Sequence, residues 1–481
     1  REQLILSFSD TNAKGEGISP AYLIGSIRGM YPNLDIKRAD KSDFEIENEA
    51  NCYPENPETG IDLFLEKLAE ETEKDYDVLN QTDAMFGELY SWYLRNPEYR
   101  SRVQKLVQSA FEGKPKDIIS QSVAKALYGE ISPYSATRLE RFAACAFAHF
   151  LQYGMKLTER VEYEFKAMDM GNVMHEALES FAEEVRKRGM KWTELTEQER
   201  NEIADRCLDN IVADYGNTVL KSSARNEYMI ERTRRILRRT VWALQKQLEQ
   251  GEFQPEGFEV TFGGGRIDRV DIMEDQNKVY VKVIDYKTGN TSFDLVYLYH
   301  GLQLQLMIYL DGALRVEQKK YPDKEIIPAG VFYYNIKDPM IQEKIDADVE
   351  AVSAGLMKEL KMNGLAQADP ELVYRMDSSL GSIPVAFNKD GSFRKNSSVA
   401  DRTQFAVLGR YVRTKIEKIR SSILEGDAEV SPYELGKKNA CTYCPYMTVC
   451  GFDRRLSGYE FRRLKNFSDE ELWKAFDREA E

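Results

Sequence analysis

The sequence predicts an α/β domain in which a sheet lies inside a shell of helices. Two observations predict this class. Apolar residues recur at helical spacing through long segments on both sides of the middle of the chain. Between these segments, at residues 258–286, the apolar period changes from 3.6 to 2, which is typical of strands. Helices that flank strands along the chain favour a layered domain built around the sheet.

The composition is that of an ordinary globular protein. The chain has 481 residues, of which 42% are hydrophobic and 30% charged, and its net charge is −14. Much of this charge lies between Asp40 and Asp77, where 14 acidic residues accompany 3 basic ones, so the rest of the chain carries a net charge of only −3. A nearly neutral body leaves room for a basic groove that binds nucleic acid.

The sequence favours neither a membrane protein nor a secreted one. The longest strongly apolar stretch, 142–151, is much shorter than the ~20 residues that a spanning helix needs. The first residues lack a basic region followed by an apolar one. Six cysteines are too few for a disulfide framework in a chain of this length. We therefore expect a cytoplasmic protein without a membrane partner.

The predicted elements before residue 130 are mainly helical. Residues 2–9 are expected to form a strand, and Pro20 precedes a predicted helix at 21–30. Apolar residues between Ile61 and Leu68 share one face and predict an amphipathic helix. Its acids are expected to form a solvated face, with contact to a basic partner as the alternative. Further helical patterns continue to about residue 127.

The segment that follows begins with a helix whose predicted N-cap is Ser135. Two long helices are predicted at 172–189 and 196–216. The second has capping-box spacing from Thr196 and an apolar stripe that includes Cys207, which is therefore expected to be a core residue.

A predicted helix at 227–250 precedes the strands. Its arginines at 232, 234, 235, 238 and 239 form either a solvated charged face or a stripe that follows DNA phosphates. After this helix, the sequence predicts strands at 258–262, 266–273 and 278–286, a helix at 302–314 and a strand at 330–335.

The strands carry two acids beside a lysine. Residues two apart on a strand share a face, so Asp285 and Lys287 are expected to point the same way, and Asp268 can join them if the two strands pair. Converging carboxylates would bind a hard cation such as Mg²⁺ through oxygen. The lysine would then orient a metal-bound water and counter the charge on phosphorus, as phosphodiester hydrolysis requires. The alternative is a hairpin with surface ion pairs.

Two other features could support such a site. His175, on a predicted helix, could supply a nitrogen ligand, although a lone helical histidine is commonly structural, as we expect for His149 and His300. Gln305 and Tyr309 are four residues apart on one helical face and could hold the metal-bearing strand or a phosphate by hydrogen bonds.

Three closely spaced cysteines predict a metal site. Cys441, Cys444 and Cys450 have the spacing Cys-x2-Cys-x5-Cys, which is typical of metal ligands in a reducing compartment. Cys145 is the best candidate for a fourth thiolate, because the other two cysteines belong to a core stripe and to an isolated loop. One distant cysteine with this cluster favours iron–sulfur over zinc. The bonds would close a loop of roughly 300 residues.

Taken in this order, the motifs resemble the RecB-like branch of the PD-(D/E)XK nuclease superfamily, and within it the AddB family of bacterial helicase–nuclease components. The resemblance covers about residues 120–460 and extends more weakly over 1–115. It implies a restriction-endonuclease-like mixed sheet core flanked by helices and closed by an iron–sulfur staple at 119–481, after an N-terminal helicase-like remnant at 1–118. The segments that carry it are 135–145, 171–175, 265–271, 284–289, 305–309 and 441–450.

The resemblance also implies a role for individual residues. The metal would be Mg²⁺ or Mn²⁺, and a 4Fe–4S cluster would support DNA binding. Ala146 stands where members of the family often have proline, a departure that affects no ligand. The implied catalytic residues are Asp268, Asp285, Lys287, Gln305 and Tyr309, the implied metal ligands are His175, Asp268 and Asp285, and the implied cluster ligands are Cys145, Cys441, Cys444 and Cys450.

The function that the resemblance implies is a Mg²⁺-dependent DNA exonuclease that resects double-strand breaks for recombinational repair. Its implied partner is an AddA-like motor protein in a heterodimer. No G-x-x-x-x-G-K-[ST] loop occurs in the sequence, so ATP hydrolysis is not predicted for this chain. The alternative is a non-catalytic DNA-clamping or partner-docking component, which would have lost Asp268, Asp285 or Lys287. A free-standing nuclease of the same branch would not need the extra N-terminal residues.

Overall fold

The structure is a computed structural model of the chain. Two compact units are distinguished, 1–112 and 113–481. Cys52 and most of the strand predicted at 2–9 lie outside the described residues. In the part of the chain that is described, no helix combines the length and the apolar character needed to cross a membrane. The structure describes residues 6, 8, 9, 21–32, 56–72, 84–111, 118–129, 135–158, 167–214, 224–263, 265–341, 348–456 and 458–480.

The first unit is built from helices in its described residues. Its small core contains Phe64 and Phe86, whose stacked ring centroids are 5.4 Å apart, and Tyr93, whose hydroxyl donates to the Pro57 carbonyl at 2.7 Å. The helices predicted at 21–30 and around Ile61 are present; a helicase-like origin of this unit stays a prediction. The helices are α1 (Tyr22–Met30), α2 (Pro57–Thr72), α3 (Ala84–Arg95) and α4 (Pro97–Phe111).

Two helices of the second unit begin at the predicted caps. The Ser135 hydroxyl accepts from the Arg138 amide at 3.4 Å, and Thr196 and Glu199 form the capping box. Cys207 is buried in the core, as predicted. The helices are α5 (Gln121–Tyr128), α6 (Ala136–Ala144), α7 (Ala146–His149), α8 (Ala167–Lys187), α9 (Glu197–Asp214), α10 (Ala224–Glu249), α11 (Leu295–Tyr299), α12 (Gln305–Lys320), α13 (Val349–Glu359), α14 (Pro370–Met376), α15 (Arg402–Glu425), α16 (Met447–Cys450) and α17 (Asp469–Ala480).

A six-stranded mixed sheet forms the centre of this unit, with the order β1-β2-β3-β4-β5-β6. The first three strands are antiparallel, β3 and β4 are parallel, and α11 and α12 lie in the connection between them. The predicted α/β class with a mixed sheet is therefore confirmed. A second sheet has the order β8-β7-β9. The strands are β1 (Gln254–Phe262), β2 (Gly265–Asp275), β3 (Lys278–Lys287), β4 (Glu325–Asn335), β5 (Asn363–Gln367), β6 (Val399–Ala400), β7 (Tyr433–Leu435), β8 (Lys438–Asn439) and β9 (Arg462–Arg463).

Each face of the six-stranded sheet packs against its own layer of helices. Val270 and Val283 belong to the apolar core shared with α6, α12 and α15. Ile284 and Tyr286, which alternate with them, belong to the core shared with α8, α9 and α10. Because β2 begins where β3 ends, the polar residues of both strands gather at one end of the sheet.

Candidate functional site

The pairing of β2 with β3 brings the two predicted acids together. Arg269 lies opposite Ile284 in this antiparallel pair, so Asp268 and Asp285 form the next opposite positions and face the same side of the sheet. Both residues are buried, with 8% and 1% of their surface exposed. The backbone amide of Tyr286 donates to Asp268 Oδ2 at 2.7 Å and fixes that carboxylate. The strand pairing that the metal-site prediction required is present.

The predicted lysine and its supporting pair adjoin these acids. Lys287 Nζ lies 2.6 Å from Asp285 Oδ2 and donates to Gln305 Oε1 at 2.7 Å. The Gln305 amide in turn donates to the Tyr309 hydroxyl at 2.9 Å. Because Gln305 and Tyr309 share one face of α12, the helix holds the end of the lysine side chain through two consecutive hydrogen bonds.

His175 reaches the same cluster from α8. Its Nδ1 lies 3.4 Å from Asp268 Oδ2 and 3.9 Å from Glu259 Oε1. The ring meets the edge of Tyr286 at a centroid distance of 6.0 Å. One turn earlier, α8 passes close to the end of β3, since a Cβ on Gly171 would lie 3.4 Å from Thr288 Oγ1. The histidine predicted as a ligand is therefore placed beside the acids.

Glu259 is a site residue that sequence reasoning missed. It lies on β1 with φ of +49°, a left-handed conformation that is unfavourable for a residue with a side chain. The ligand atoms of His175, Glu259 and Asp268 all lie within 4.8 Å of one another, and Asp285 lies outside this group. Glu259 and Asp268 lie nine residues apart on two neighbouring predicted strands, and this was the available signal, but its use requires the strand register.

The four predicted cluster cysteines also converge. Cys145 directly follows α6, whereas Cys441, Cys444 and Cys450 lie in and beside α16, and all four line one cavity with Tyr446. These four residues, each of which the structure describes, carry free thiols. Burial, together with the charges of the other three cysteines, raises the pKa of Cys441 to about 12. A metal cation bound in this cavity would stabilise the thiolate forms of the cysteines that line it.

Comparison with known proteins assigns a family to this arrangement. Residues 133–451 match the family model of the PD-(D/E)XK nuclease superfamily. The chain belongs to this superfamily. It is also similar to proteins from Lachnoclostridium phytofermentans, Alkaliphilus metalliredigens and Thermoanaerobacter sp. strain X514, each named as the B subunit of an ATP-dependent helicase/deoxyribonuclease, at 38%, 32% and 30% identity. These matches cover 99–100% of the chain and 42–43% of each relative, so the chain spans less than half the length of these relatives.

In this nuclease-superfamily chain, the clustered acids disfavour one another's ionised forms. Burial, and then the charge of Asp285, raises the pKa of Asp268 to about 7. Burial also raises the pKa of Asp285, although Lys287 opposes it. Burial alone would lower the pKa of His175, but the interactions with the nearby carboxylates of Glu259 and Asp268 outweigh it and raise that pKa. A cation among these groups would favour both ionised carboxylates.

Three of the five arginines predicted to form the charged face of α10 make ion pairs within the protein. Arg234 and Arg238 both pair with Asp205 of α9, at 3.7 Å for the first and through a 2.8 Å hydrogen bond for the second. Arg235 Nε lies 2.6 Å from Asp338 Oδ2. The structure therefore favours the charged-face interpretation over a stripe that follows DNA phosphates.

The other two histidines have structural surroundings. His149 is fully buried and accepts a hydrogen bond from Arg138 Nε at 3.2 Å, and burial lowers its pKa to about 3. His300 Nε2 lies 2.8 Å from the Lys465 carbonyl oxygen. Neither residue belongs to the group of potential metal ligands around Asp268.

Proposed function

We propose that the chain is a metal-dependent deoxyribonuclease that acts as an exonuclease. The observation that carries this proposal is the convergence of acids, a histidine and a lysine at one end of the sheet. Among the described residues, Asp268 has an ion-pair contact with His175 and none with a lysine or arginine. Its negative charge is therefore available to an added cation, which distinguishes this cluster from a closed network of ion pairs.

The donor set fits Mg²⁺ or Mn²⁺. We infer that Asp268, His175 and Glu259 would hold the ion, with Asp285 beside them. Carboxylate oxygens are the ligands that these hard cations prefer, and an imidazole is acceptable to Mn²⁺. A bound ion of this kind lowers the pKa of a coordinated water and counters negative charge on a phosphate.

The other residues would position groups and supply positive charge. Lys287 is held between Asp285 and Gln305, so its ammonium is kept at a fixed place beside the acids. There it can orient an attacking water by hydrogen bonding and stabilise the charge that develops on the scissile phosphate. Tyr309 acts through Gln305. Its hydroxyl accepts a hydrogen bond from the side-chain amide nitrogen of Gln305, and this orients the Gln305 oxygen toward Lys287.

We further propose that Cys145, Cys441, Cys444 and Cys450 hold a 4Fe–4S cluster. These four described cysteines line one cavity, as ligands of a shared metal group must. One distant cysteine beside a Cys-x2-Cys-x5-Cys cluster is the pattern that favours an iron–sulfur cluster over zinc. The cluster would connect residue 145 to the C-terminal part of the chain and support the DNA-binding surface.

The biological setting proposed here is a helicase–nuclease complex. The relatives are named as parts of an ATP-dependent helicase/deoxyribonuclease, and their similarity extends over the whole of this chain. We propose that an AddA-like motor protein supplies the ATP-driven movement. We propose that the complex resects DNA double-strand breaks for recombinational repair in the cytoplasm.

The decisive experiment is digestion of end-labelled single- and double-stranded DNA in Mg²⁺ or in EDTA. Wild-type protein should cleave with Mg²⁺ only, and Lys287→Ala should reduce kcat by about 100-fold or more. Lys278→Ala is the matched control, because Lys278 is exposed at the opposite end of the same strand. Cleavage that is equal in all three proteins would refute the assignment, and DNA binding without any cleavage would favour the DNA-clamping alternative.

A further inference from the structure

Glu140 is a partly buried acid whose contacts cross between two helices. It lies on α6, and its Oε1 accepts hydrogen bonds from the backbone amides of Leu304 and Gln305 at 2.7 and 2.9 Å. The first amides of a helix lack partners within it, and α12 has no side-chain cap of its own. A carboxylate from α6, 164 residues earlier in the chain, therefore supplies the cap.

The capped residues include one that holds the active-site lysine. Gln305 is the first residue of α12, so its backbone amide is bound to Glu140 while its side-chain oxygen accepts from Lys287 Nζ. Lys287 in turn lies against Asp285. A shift of the Glu140 carboxylate would move or release the start of α12, and with it the hydrogen bond that keeps the ammonium in place.

The same helix ends at the four-cysteine site. Cys145 is the C-cap of α6, and its amide donates to the Arg141 carbonyl at 3.1 Å. Arg462 of β9 donates to the Ala143 carbonyl in the last turn of this helix. Glu140 and Cys145 are five residues apart, about 7.5 Å along a helix axis. Whatever fixes Cys145 therefore also fixes the helix that presents Glu140.

We propose that Glu140 is a positioning residue that couples the four-cysteine site to Lys287 by capping α12. The inference rests on the function proposed above and extends it, since it makes the geometry of the nuclease site depend on a metal group bound elsewhere. If Glu140 only stabilised the fold, a stabilising change elsewhere in the protein would compensate for its loss. If it positions Lys287, an oxygen that accepts the amides of α12 is needed at this point of the structure.

The first test compares Glu140→Ala with Glu140→Gln in the intact protein. The alanine variant removes the acceptor and should lower kcat for DNA cleavage by about 10- to 100-fold with KM nearly unchanged. The glutamine variant keeps an acceptor oxygen and should retain kcat within about threefold of wild type. Asp348→Ala is the matched control, because Asp348 caps α13 by accepting from the Ala351 amide at 2.7 Å and α13 carries no site residue. Equal kcat in the alanine variant and wild type would overturn the proposal.

The second test measures amide hydrogen exchange and needs no catalysis. In the peptide 302–309, Glu140→Ala should speed exchange of the capped amides by about tenfold or more. Removal of metal from the cysteines with a chelator should speed exchange at the same amides in wild-type protein. Elemental analysis verifies that the metal has been removed. The coupling would be overturned if the exchange rate of the capped amides did not change, or if it rose equally across α9. It would also be overturned if the cysteines bound neither iron nor zinc. If wild-type protein does not cleave DNA, the proposed function fails while the exchange result still decides the role of Glu140.

Discussion

The backbone of Glu259 allows a test that separates conformational strain from the loss of a carboxylate. Its φ of +49° is favourable for glycine but costs a residue with a Cβ about 1–2 kcal/mol. Glu259→Ala and Glu259→Gly both remove the contacts with Arg266 and His175, so these losses cancel in the comparison. At an ordinary strand position, glycine is less stable than alanine by about 0.5–1 kcal/mol. At residue 259 we expect the order to be reversed, with the glycine variant more stable by about 1 kcal/mol.

The free energy of unfolding can be measured by urea denaturation in EDTA, so that metal binding does not contribute. Thr261→Ala and Thr261→Gly are the control pair, because Thr261 lies in the regularly paired part of the same strand, opposite Arg266, and is not among the residues with positive φ. There the alanine variant should be the more stable one. Added Mn²⁺ should stabilise the wild type by about 2.7 kcal/mol at 100 times its dissociation constant, and stabilise both Glu259 variants much less. A Glu259→Ala variant at least as stable as Glu259→Gly would refute the strain argument.

Three further predictions follow from the same site geometry. Asp285→Ala should lower Mg²⁺-dependent cleavage at least about 100-fold while DNA affinity, measured by gel shift, stays within about twofold; unchanged cleavage would remove Asp285 from the mechanism. Cys444→Ser should abolish the broad absorbance expected at about 400 nm for a thiolate-bound cluster and lower the unfolding midpoint, whereas zinc without iron in the wild type would contradict the cluster assignment. Because folding raises the pKa of Asp268 from its ordinary value of 3.8 to about 7, the folded metal-free protein holds this proton more tightly than the unfolded chain does. Its free energy of unfolding should therefore fall as the pH rises from about 4 to about 7, and Asp268→Asn should flatten this slope; the same slope in wild type and variant would show that another group is responsible.

Much of the site could be predicted because it depends on local periodicity. Asp285 and Lys287 share a face since side chains alternate along a strand, and Gln305 and Tyr309 share one since a helix repeats every 3.6 residues. The cap at Ser135 was predictable for a similar reason, because a hydroxyl just before a helix accepts an amide within its first turn. Each of these relations holds whatever the rest of the protein does.

Other features are set by contacts between distant segments. Glu140 could not be predicted as a cap, because no local pattern places it at the start of a helix 164 residues later. The short strands β5 and β6 were not predicted, since β5 has the sequence Asn-Gly-Leu-Ala-Gln and is a strand because it pairs with β4. The arginines of α10 left two interpretations open until the acids of α9 were found opposite them.

The sequence by itself determined which residues lie on a common face of each strand and helix, and so it determined the acids, the lysine and the supporting pair. The tertiary structure decided which elements meet. It brought Glu259 of the edge strand and His175 of α8 within reach of Asp268, and it gathered cysteines from both ends of the second unit around one cavity. The physical reason is that alternation and helical repeat act over a few residues, whereas register and packing are fixed only when the whole core excludes water.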